Sequence, residues 1–447
     1  MSDWMESTIA IVVMVLVLTA SIALHEIGHL VPAKRFGVKV TQYMIGFGPT
    51  VWSRRRGETE YGFKWIPAGG YIRMIGMFPP GKGEDEHHLR ESSTGAFQSL
   101  AEDASHAALR EIKPGDEGRV FYKLSVPKKV VVMLGGPTMN LVIAVVLLTI
   151  LLVGFGDPRE RALTTTVATV SECVVAAGSG RTSCSPDDPI APANEAGVRP
   201  GDRVVSFAGE QVTDWEQMRG LIRERADEAT PMVVERDGAP LDLELTPMLT
   251  QVVRIEGGEV VLDEAGQPQL VEAGFVGVSP VQELQPQPVS AVPGFIGDQV
   301  VAVANVVARL PVRMVDVAQA AFGEEERDPA GPIGIVGVGR LAGEYSAFDD
   351  VTVRDKVAFM LGLMGSLNVA LFVFNLIPLL PLDGGHVAGA LWEGLRRQLA
   401  RLRGRADPGP VDVAKALPLV YVVSIALIAM SVLLLYADIV RPITLRG

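Results

Sequence analysis

The chain has 447 residues and is strongly apolar, with 48 % hydrophobic residues and a mean hydropathy of +0.28. Such a hydropathy is high for a soluble protein, so the composition favours a membrane protein, and the length allows more than one domain. The net charge of −12 and the lack of a basic, aromatic-rich pattern argue against a nucleic-acid-binding protein.

Four apolar segments are long enough to cross the roughly 30 Å hydrocarbon layer, which needs about 20 helical residues. They cover residues 8–33, 130–156, 356–385 and 417–437. For the first segment a cleavable signal peptide is the alternative, but the preceding MSDWMES is acidic where a signal peptide is basic. The sequence therefore predicts a polytopic α-helical membrane protein with four transmembrane helices.

Lysine and arginine near the segment ends predict the orientation, because cytoplasmic loops are enriched in these residues. Basic residues follow the first segment, precede the second and separate the third from the fourth: Lys34, Arg35, Lys39, Lys128, Lys129, Arg396, Arg397, Arg401, Arg403, Arg405 and Lys415. We therefore expect a multi-pass plasma-membrane protein whose N-terminus, residues 157–354 and C-terminus are extracytoplasmic.

The two predicted cytoplasmic loops differ in character. Residues 34–129 open with alternating apolar residues between glycines and prolines, which predicts short strands and turns associated with the membrane. Within this loop, residues 79–119 are charged and glycine-rich, which is typical of a mobile insert. We expect the histidines of the insert to be solvated rather than to bind metal: His87, His88 and His106. Residues 386–416 are expected to form a basic loop.

The extracytoplasmic region is predicted to contain a compact α+β module at residues 160–250 and a linker at 251–355. The module has a Pro-Gly-Asp turn, an amphipathic helix at 215–225 and two strands separated at 237–238. Its stretch AGVRPGDRVVSFAG resembles PDZ domains of bacterial proteases, which bind a peptide by adding it to a sheet edge; a β-rich spacer is the alternative. In the linker, residues 295–322 predict an amphipathic helix at the outer membrane face rather than a fifth span.

Cys173 and Cys184 are the two cysteines of the chain, and both fall in the predicted extracytoplasmic region. That compartment permits a disulfide. A sequence does not give the Cα separation that a disulfide requires. A disulfide and two free thiols are therefore both open on the sequence alone.

His25, Glu26 and His29 lie near the end of the first segment in HEIGH, which fits H-E-x-x-H. Residues four apart share one face of a helix, so both imidazoles can reach one zinc ion, with Glu26 beside them to accept a proton from water. Ionisable groups in a span are costly, about 2.5–3.5 kcal/mol each for Asp, Lys or Arg, so they usually serve a function. A polar cluster that holds helices together is the alternative, but it does not call for metal-ligand spacing.

A catalytic zinc usually has three protein ligands, so a third is expected from another segment. Asp383 is the carboxylate at the end of the third segment, in NLIPLLPLDGGH, and the two glycines after it allow the backbone to turn sharply. His386 is less favoured, because it would have to reach back past this turn. Asp438 lies beyond the fourth segment and is expected at the membrane interface.

Together these features resemble the site-2 protease family of intramembrane zinc metalloproteases over most of the chain. The shared motifs are H-E-x-x-H in the first segment, GFGP and PAGGYIRM in the following loop, GGPTMN in the second segment and NLIPLLPLDGG in the third. The single PDZ-like module and the four-span plan are similar to actinobacterial members of the regulator-of-sigma-factor type.

The resemblance implies a ligand set and a catalytic base. His25, His29 and Asp383 would ligate Zn2+, and Glu26 would be the general base. Asn140 matches the family pattern G-P-x-x-N, for which the resemblance implies no defined role.

The resemblance also implies substrate-binding residues. Asn375, in the family's N-x-x-P position with Pro378, would hold the substrate or stabilise the oxyanion. Gly46, Phe47 and Gly48 would belong to a membrane-re-entrant β-loop that pairs with the substrate.

The implied activity is regulated intramembrane proteolysis of single-span membrane proteins such as anti-sigma factors, with remnant signal peptides as a second substrate class. A first protease would trim the substrate, and a peptide would bind the PDZ-like module, outside the bilayer. A non-enzymatic metal-binding adaptor is the main alternative, but it has no use for Glu26. A metal transporter is another, but it predicts polar groups along the spans, and the second and fourth segments are almost purely apolar.

Overall fold

The structure is a computed structural model that describes residues 3–77, 79, 114–175, 181, 183–256, 259–262, 266–323, 327–329, 331–348, 351–411 and 416–445. Most of the predicted mobile insert, including its three histidines, lies outside the described residues. The chain divides into two compact units. We call Gly156–Pro286 the sheet unit, and Met1–Phe155 together with Gln287–Gly447 the helical unit.

The first part of the helical unit contains two long helices and a β-hairpin. In chain order these are α1 (Asp3–Arg35), β1 (Val40–Arg56), β2 (Thr59–Met74), a 3-10 turn at Phe121–Lys123 and α2 (Val126–Gly154). Both helices are mostly apolar. Proline in the first turn of α2 fits its start, because the first N–H groups of a helix have no partner within it.

The hairpin β1–β2 has two long strands where the sequence predicts short ones. It folds back on itself, so that Tyr43 pairs with both Ile72 and Tyr61. The chain turns at Gly46 and Gly48, whose φ angles of +91° and +86° favour glycine. The hairpin therefore presents the GFG segment at the point where the sheet bends.

The sheet unit contains these elements in chain order: β3 (Arg161–Val170), α3 (Pro192–Glu195), β4 (Arg203–Phe207), β5 (Glu210–Gln211), α4 (Trp215–Glu224), β6 (Thr230–Arg236), β7 (Ala239–Leu245), β8 (Met248–Val253), β9 (Ile255–Glu256), β10 (Glu259–Val260), β11 (Leu270–Phe275) and β12 (Val278–Leu284). The main sheet has the order β12-β3-β4-β6-β7, with β5 beside β4, while β8 pairs with β11 and β9 with β10. All of these pairings are antiparallel.

Helix α4 covers the core of the sheet unit with one apolar face. Its buried residues Trp215, Met218 and Ile222 recur at helical spacing and pack in one cluster with Phe207. Asp214 caps the helix by accepting a hydrogen bond from a backbone N–H. The helix and the two strands around residues 237–238 lie where the sequence places them.

A disulfide and a buried ion pair stabilise the sheet unit. Cys173 and Cys184 form a disulfide, with their Cα atoms 5.9 Å apart, which decides between the two alternatives that the sequence leaves open. Asp202 is buried, and Arg236 donates two hydrogen bonds of 2.7 Å to its carboxylate. The Arg236 guanidinium lowers the pKa of Asp202 below its usual value, against the effect of burial.

The second part of the helical unit is all helical. A 3-10 turn at Val289–Ala291 precedes α5 (Val292–Ala308), α6 (Leu310–Phe322), α7 (Ile335–Ser346), α8 (Val353–Asn375), α9 (Asp383–Leu402) and α10 (Leu417–Val440). The single helix predicted at 295–322 is divided between α5 and α6. Proline in the first turn of α6 explains the division, because it cannot continue the hydrogen bonding of α5.

Within the described residues, five helices are long and apolar enough to cross a membrane: Trp4–Arg35, Val126–Gly154, Val289–Ala308, Val353–Asn375 and Leu417–Val440. Four of them correspond to the predicted segments. The fifth includes α5, so length and composition alone do not fix the number of crossings.

The third predicted segment differs from the structure at its end. Helix α8 stops at Asn375, and α9 begins at Asp383 and occupies much of the stretch predicted as a loop at 386–416. Pro378 and Pro381 lie in the connection, where neither can donate a backbone hydrogen bond to extend α8. Asp383 therefore begins a new helix instead of ending the old one.

Asp438 is buried near the end of α10, and its predicted place at the membrane interface stays a prediction. Arg327 donates to its carboxylate at 2.8 Å, and the backbone N–H of Gly337 donates at 2.7 Å. A buried carboxylate needs such partners to offset its lost hydration, so Asp438 serves to hold α10 against its neighbours.

Candidate metal centre

The structure brings three sequence-predicted ligands together, although about 350 residues separate the histidines from the aspartate. His25 and His29 lie one turn apart on α1, and their Nε2 atoms are 3.2 Å apart. Each Nε2 lies 3.4 Å from Oδ2 of Asp383. The three ligand atoms form a nearly equilateral triangle.

This triangle has the dimensions of a zinc site. Ligands about 2.0–2.1 Å from a tetrahedral ion are separated by about 3.3–3.4 Å. The three distances between these nitrogen and oxygen atoms fall close to that value. Two imidazoles and one carboxylate leave one position of a tetrahedron for water, as in catalytic zinc sites.

Asp383 gives a second indication that a cation belongs here. Its Oδ2 is buried and has no hydrogen-bond partner in the described part of the chain. A buried carboxylate oxygen without a partner is costly, and a metal ion would satisfy it. Asp383 also occupies the first turn of α9, where the helix dipole favours negative charge.

Helix α2 supports the histidines through three residues spaced four apart on one face. The carbonyl oxygen of Val132 lies 2.8 Å from His29 Nδ1, and the side chain of Asn140 lies 3.1 Å from His25 Nδ1. Between them, Gly136 leaves room for the imidazoles: a Cβ there would lie 2.2 Å from His29 Nε2 and 2.6 Å from His25 Nε2. Only glycine fits at this position.

Two further glycines let α1 and α2 approach this closely. A Cβ on Gly28 would lie 2.2 Å from the Gly135 carbonyl oxygen, and a Cβ on Gly135 would lie 2.0 Å from that of Gly28. Small residues at a helix crossing allow such backbone contact in membrane proteins. The contact falls between the two histidines in sequence, so it fixes the helix that carries both.

The hairpin lies against Glu26, the residue between the histidines. Glu26 is buried, and a Cβ on Gly70 would lie 3.0 Å from its Cγ. A Cβ on the neighbouring Gly69 would lie 2.4 Å from the Phe47 ring. The GFG segment of β1 and the two glycines of β2 thus meet beside the HEIGH motif.

Of the other predicted site residues, Asn375 is the last residue of α8, and Pro378 lies in the connection between α8 and α9. This connection leads directly into Asp383. His386, one turn into α9, is not part of the cluster formed by the described His, Cys, Asp and Glu residues.

Sequence reasoning did not assign roles to the α2 residues that contact the histidines. Gly135, Gly136 and Asn140 all belong to GGPTMN, which carries the family resemblance, but their function was not evident from the motif. The available signal was the pair of adjacent glycines in a predicted span, which is typical of a close helix crossing.

Apolar helices and a His-His-Asp cluster with a neighbouring glutamate together define a membrane metallopeptidase as the class of protein. Comparison with known proteins agrees: the model of Peptidase family M50 matches residues 13–407. The chain belongs to this family, which confirms the predicted resemblance to site-2 proteases.

Curated relatives extend over nearly the whole chain. Zinc metalloprotease Rip1 of Mycobacterium bovis is 35% identical, over 97% of this chain and 98% of the relative. The Rip1 protein of Mycolicibacterium smegmatis is 33% identical, over 98% of both chains. Zinc metalloprotease RasP of Oceanobacillus iheyensis is 23% identical, over 86% of this chain and 91% of the relative.

Proposed function

We propose that the chain is an intramembrane zinc metalloprotease that hydrolyses peptide bonds in single-span membrane proteins. The observation that carries the proposal is the triangle of His25, His29 and Asp383, whose spacing fits tetrahedral zinc. The zinc-metalloprotease names of the relatives support the same cofactor. When bound, zinc supplies a Lewis acid that polarises the scissile carbonyl and makes water acidic.

Glu26 performs the proton transfers. Its carboxylate accepts a proton from the attacking water and donates it to the nitrogen of the leaving amine. It is adjacent in sequence to a ligand but is not in the ligand triangle, so its oxygens stay available for this task. Burial on α1 beside the hairpin keeps bulk water away from the carboxylate.

The β-hairpin holds the substrate. A transmembrane helix satisfies its amides internally, so it must unwind before hydrolysis, and a strand edge can replace the lost hydrogen bonds. Gly46, Phe47 and Gly48 lie at the bend of β1, next to Gly69, and the neighbouring Gly70 lies against Glu26. Exposed apolar side chains on the same hairpin support its placement as a re-entrant loop in the membrane: Phe47, Val51, Trp52, Phe63, Trp65 and Ile66.

Asn375 and Pro378 complete the substrate-binding set. They lie at the end of α8 and in the connection that leads to Asp383. An amide from Asn375 can donate a hydrogen bond to the oxygen of the scissile carbonyl as negative charge develops on it.

Four crossings fit the contacts of the helical unit best. Helices α1 and α2 each cross once, so α2 ends on the side where α1 begins. Asp383 follows α8 and contacts His25 near the far end of α1, so α8 must start on the side where α2 ends. The number of crossings between α2 and α8 is therefore even, which argues against α5 crossing alone.

With basic loops inside, the N-terminus, the sheet unit and the C-terminus are extracytoplasmic. In this plan the sheet unit is a PDZ-like module that binds the outer part of a substrate. Its strand β12 is at one edge of the main sheet, and a groove lined by Trp215, Ile222, Phe275 and Val278 runs beside α4. An edge strand beside a groove suits peptide addition.

The substrates are anti-sigma factors trimmed by a first protease, with remnant signal peptides as a second class. The test is co-expression of a trimmed single-span substrate with the native chain, with Glu26→Gln and with Glu6→Gln. Glu6 is on the same helix but pairs with Lys356, so its replacement should leave cleavage intact. Cleavage by Glu26→Gln at the native rate would refute the protease and favour a metal-binding adaptor.

The proposed ligand set leads to a second expected result. Asp383→Ala should abolish cleavage as fully as His25→Ala, because each removes one corner of the triangle. Residual cleavage by Asp383→Ala alone would mean that another residue is the third ligand.

A further inference from the structure

We propose that Asn140 is a positioning residue that accepts a hydrogen bond from His25 Nδ1–H and thereby turns His25 Nε2 toward the metal. The inference rests on the proposed metal centre and assigns a function to one residue of α2. It concerns the tautomer of a ligand, not the identity of the ligands.

The contact between the two side chains is short, and its Asn140 end is buried. Asn140 has 1% of its surface exposed, and its Nδ2 lies 3.1 Å from His25 Nδ1. In this arrangement Oδ1 of Asn140 is buried without a hydrogen-bond partner. A buried acceptor left unpaired costs about 1–3 kcal/mol.

The chemistry of the ligand decides which end of the amide belongs at His25. His25 Nε2 faces His29 and Asp383. To bind a metal there, Nε2 must carry the lone pair, so Nδ1 carries the hydrogen. An Nδ1–H group needs an acceptor. The two ends of a carboxamide have the same shape, so a half-turn of the Asn140 amide supplies Oδ1 as that acceptor.

His29 makes a comparable contact through Nδ1, and its partner there is unambiguous. Its Nδ1 lies 2.8 Å from the carbonyl oxygen of Val132, which can only accept. His29 is therefore the Nδ1–H tautomer with Nε2 free for the metal. Val132 and Asn140 lie eight residues apart on one face of α2, so this helix supplies an acceptor to each histidine.

Orienting acceptors of this kind usually contribute 10–100-fold to metal affinity. A control residue lies on α8: Asn368 is equally buried, with 1% exposed, and donates to Ser21 Oγ at 3.2 Å and to the Met364 carbonyl oxygen at 2.9 Å. It contacts no histidine in the described structure. Replacing it removes the same polar group from an equally buried position.

The experiment measures zinc affinity of the full chain, purified in detergent micelles and stripped of metal, by competition with a chromophoric chelator. Asn140→Leu should bind zinc 10–100-fold more weakly than the native chain. Asn140→Asp should stay within a few-fold of native affinity, because a carboxylate accepts from Nδ1–H. Asn368→Leu should bind zinc as the native chain does.

The aspartate variant separates the two orientations of the amide. If Asn140 instead donates to an unprotonated Nδ1, a carboxylate repels that nitrogen, and Asn140→Asp should bind as weakly as Asn140→Leu. That result, or native affinity in Asn140→Leu, would overturn the inference. If Asn140→Leu does not fold, Asn140→Asp alone decides. A native chain that binds no zinc would instead overturn the proposed function itself.

Discussion

Gly136 is the residue whose replacement tests the geometry of the metal centre most directly. In Gly136→Ala the new Cβ would lie 2.2 Å from His29 Nε2, whereas ordinary contact begins at 3.4 Å. The nitrogen would have to move by about 1.2 Å, the difference between these distances. Helix α1 cannot move away as a whole without breaking the backbone contact between Gly28 and Gly135.

This displacement is large relative to what a metal site tolerates. Zinc–ligand distances vary by about 0.2 Å, and misplacing a reacting group by about 1 Å costs about 100-fold in rate. We therefore expect Gly136→Ala to weaken zinc binding by more than about 100-fold and to abolish cleavage. Chelator competition on the metal-stripped chain measures the affinity, and co-expression with a single-span substrate measures the cleavage.

Gly154 provides the matched control on the same helix. A Cβ at Gly154 would have no atom within 4 Å, so Gly154→Ala should bind zinc and cleave as the native chain does. If Gly136→Ala matched it in both measurements, the imidazole nitrogens could not converge where the structure places them. The proposed metal position would then be refuted.

Three further predictions concern stability, each measured on the full chain. The lowered pKa of Asp202 means that its contribution to stability is present above the unfolded pKa of about 3.9 and is lost as pH falls through the folded value. Amide protection factors in the sheet unit, which are corrected for the intrinsic pH dependence of exchange, should therefore fall below about pH 4. Asp202→Asn should remove that step, and an unchanged step would assign it to another group. Replacing both Cys173 and Cys184 by serine removes a disulfide between residues 11 apart in sequence. The free energy of unfolding of the sheet unit should fall by about 3 kcal/mol, seen as a lower urea midpoint. An unchanged midpoint would contradict this prediction. Lys129→Met removes one of the two basic partners of buried Glu393: the Lys129 ammonium at 2.8 Å is lost, while Arg397 stays at 3.1 Å. The loss of this charged hydrogen bond should cost about 1.5–3 kcal/mol, seen as a lower thermal midpoint. Equal midpoints for Lys129→Met and the native chain would contradict the prediction.

The ligand set illustrates what the sequence can predict. The spacing of His25 and His29 is a local property of a helix, so their common face follows from the motif alone. Asp383 is about 350 residues away, and no local rule connects it to them. It could be proposed because carboxylates are rare in the apolar segments and because the family resemblance includes LDGG.

The supporting residues on α2 could not be predicted in the same way. Helix α2 is apolar on all sides, so its sequence gives no polarity contrast that would mark the face toward α1. Which residues meet His25 and His29 depends on the crossing point of two helices, and that point is set by the contact of Gly28 with Gly135. Only the tertiary structure shows that the face carrying Gly136 and Asn140 is the one that meets the histidines.

The end of α8 shows a different limit. Residues 376–382 are all leucine, isoleucine or proline, so hydropathy continues the third segment through to Asp383. Hydropathy describes the transfer of side chains from water to an apolar phase. Continuation of a helix depends instead on backbone N–H groups, which the prolines lack. The sequence therefore predicts one long span where the structure has the end of one helix and the start of another.

This break also explains how the apolar surroundings tolerate the metal centre. The helix dipole stabilises a carboxylate at a helix N-terminus by about 0.3–1 kcal/mol, and by up to about 2 kcal/mol when it is partly buried. Placing a charge in a membrane span costs about 2.5–3.5 kcal/mol, which is more than this gain. The position of Asp383 at the start of α9 thus offsets only part of its burial. With Zn2+ present, two neutral imidazoles and the carboxylates of Asp383 and Glu26 sum to no net charge. With the cation bound, charge balance therefore accounts for both acidic residues, and the proposed catalytic chemistry uses the same cation.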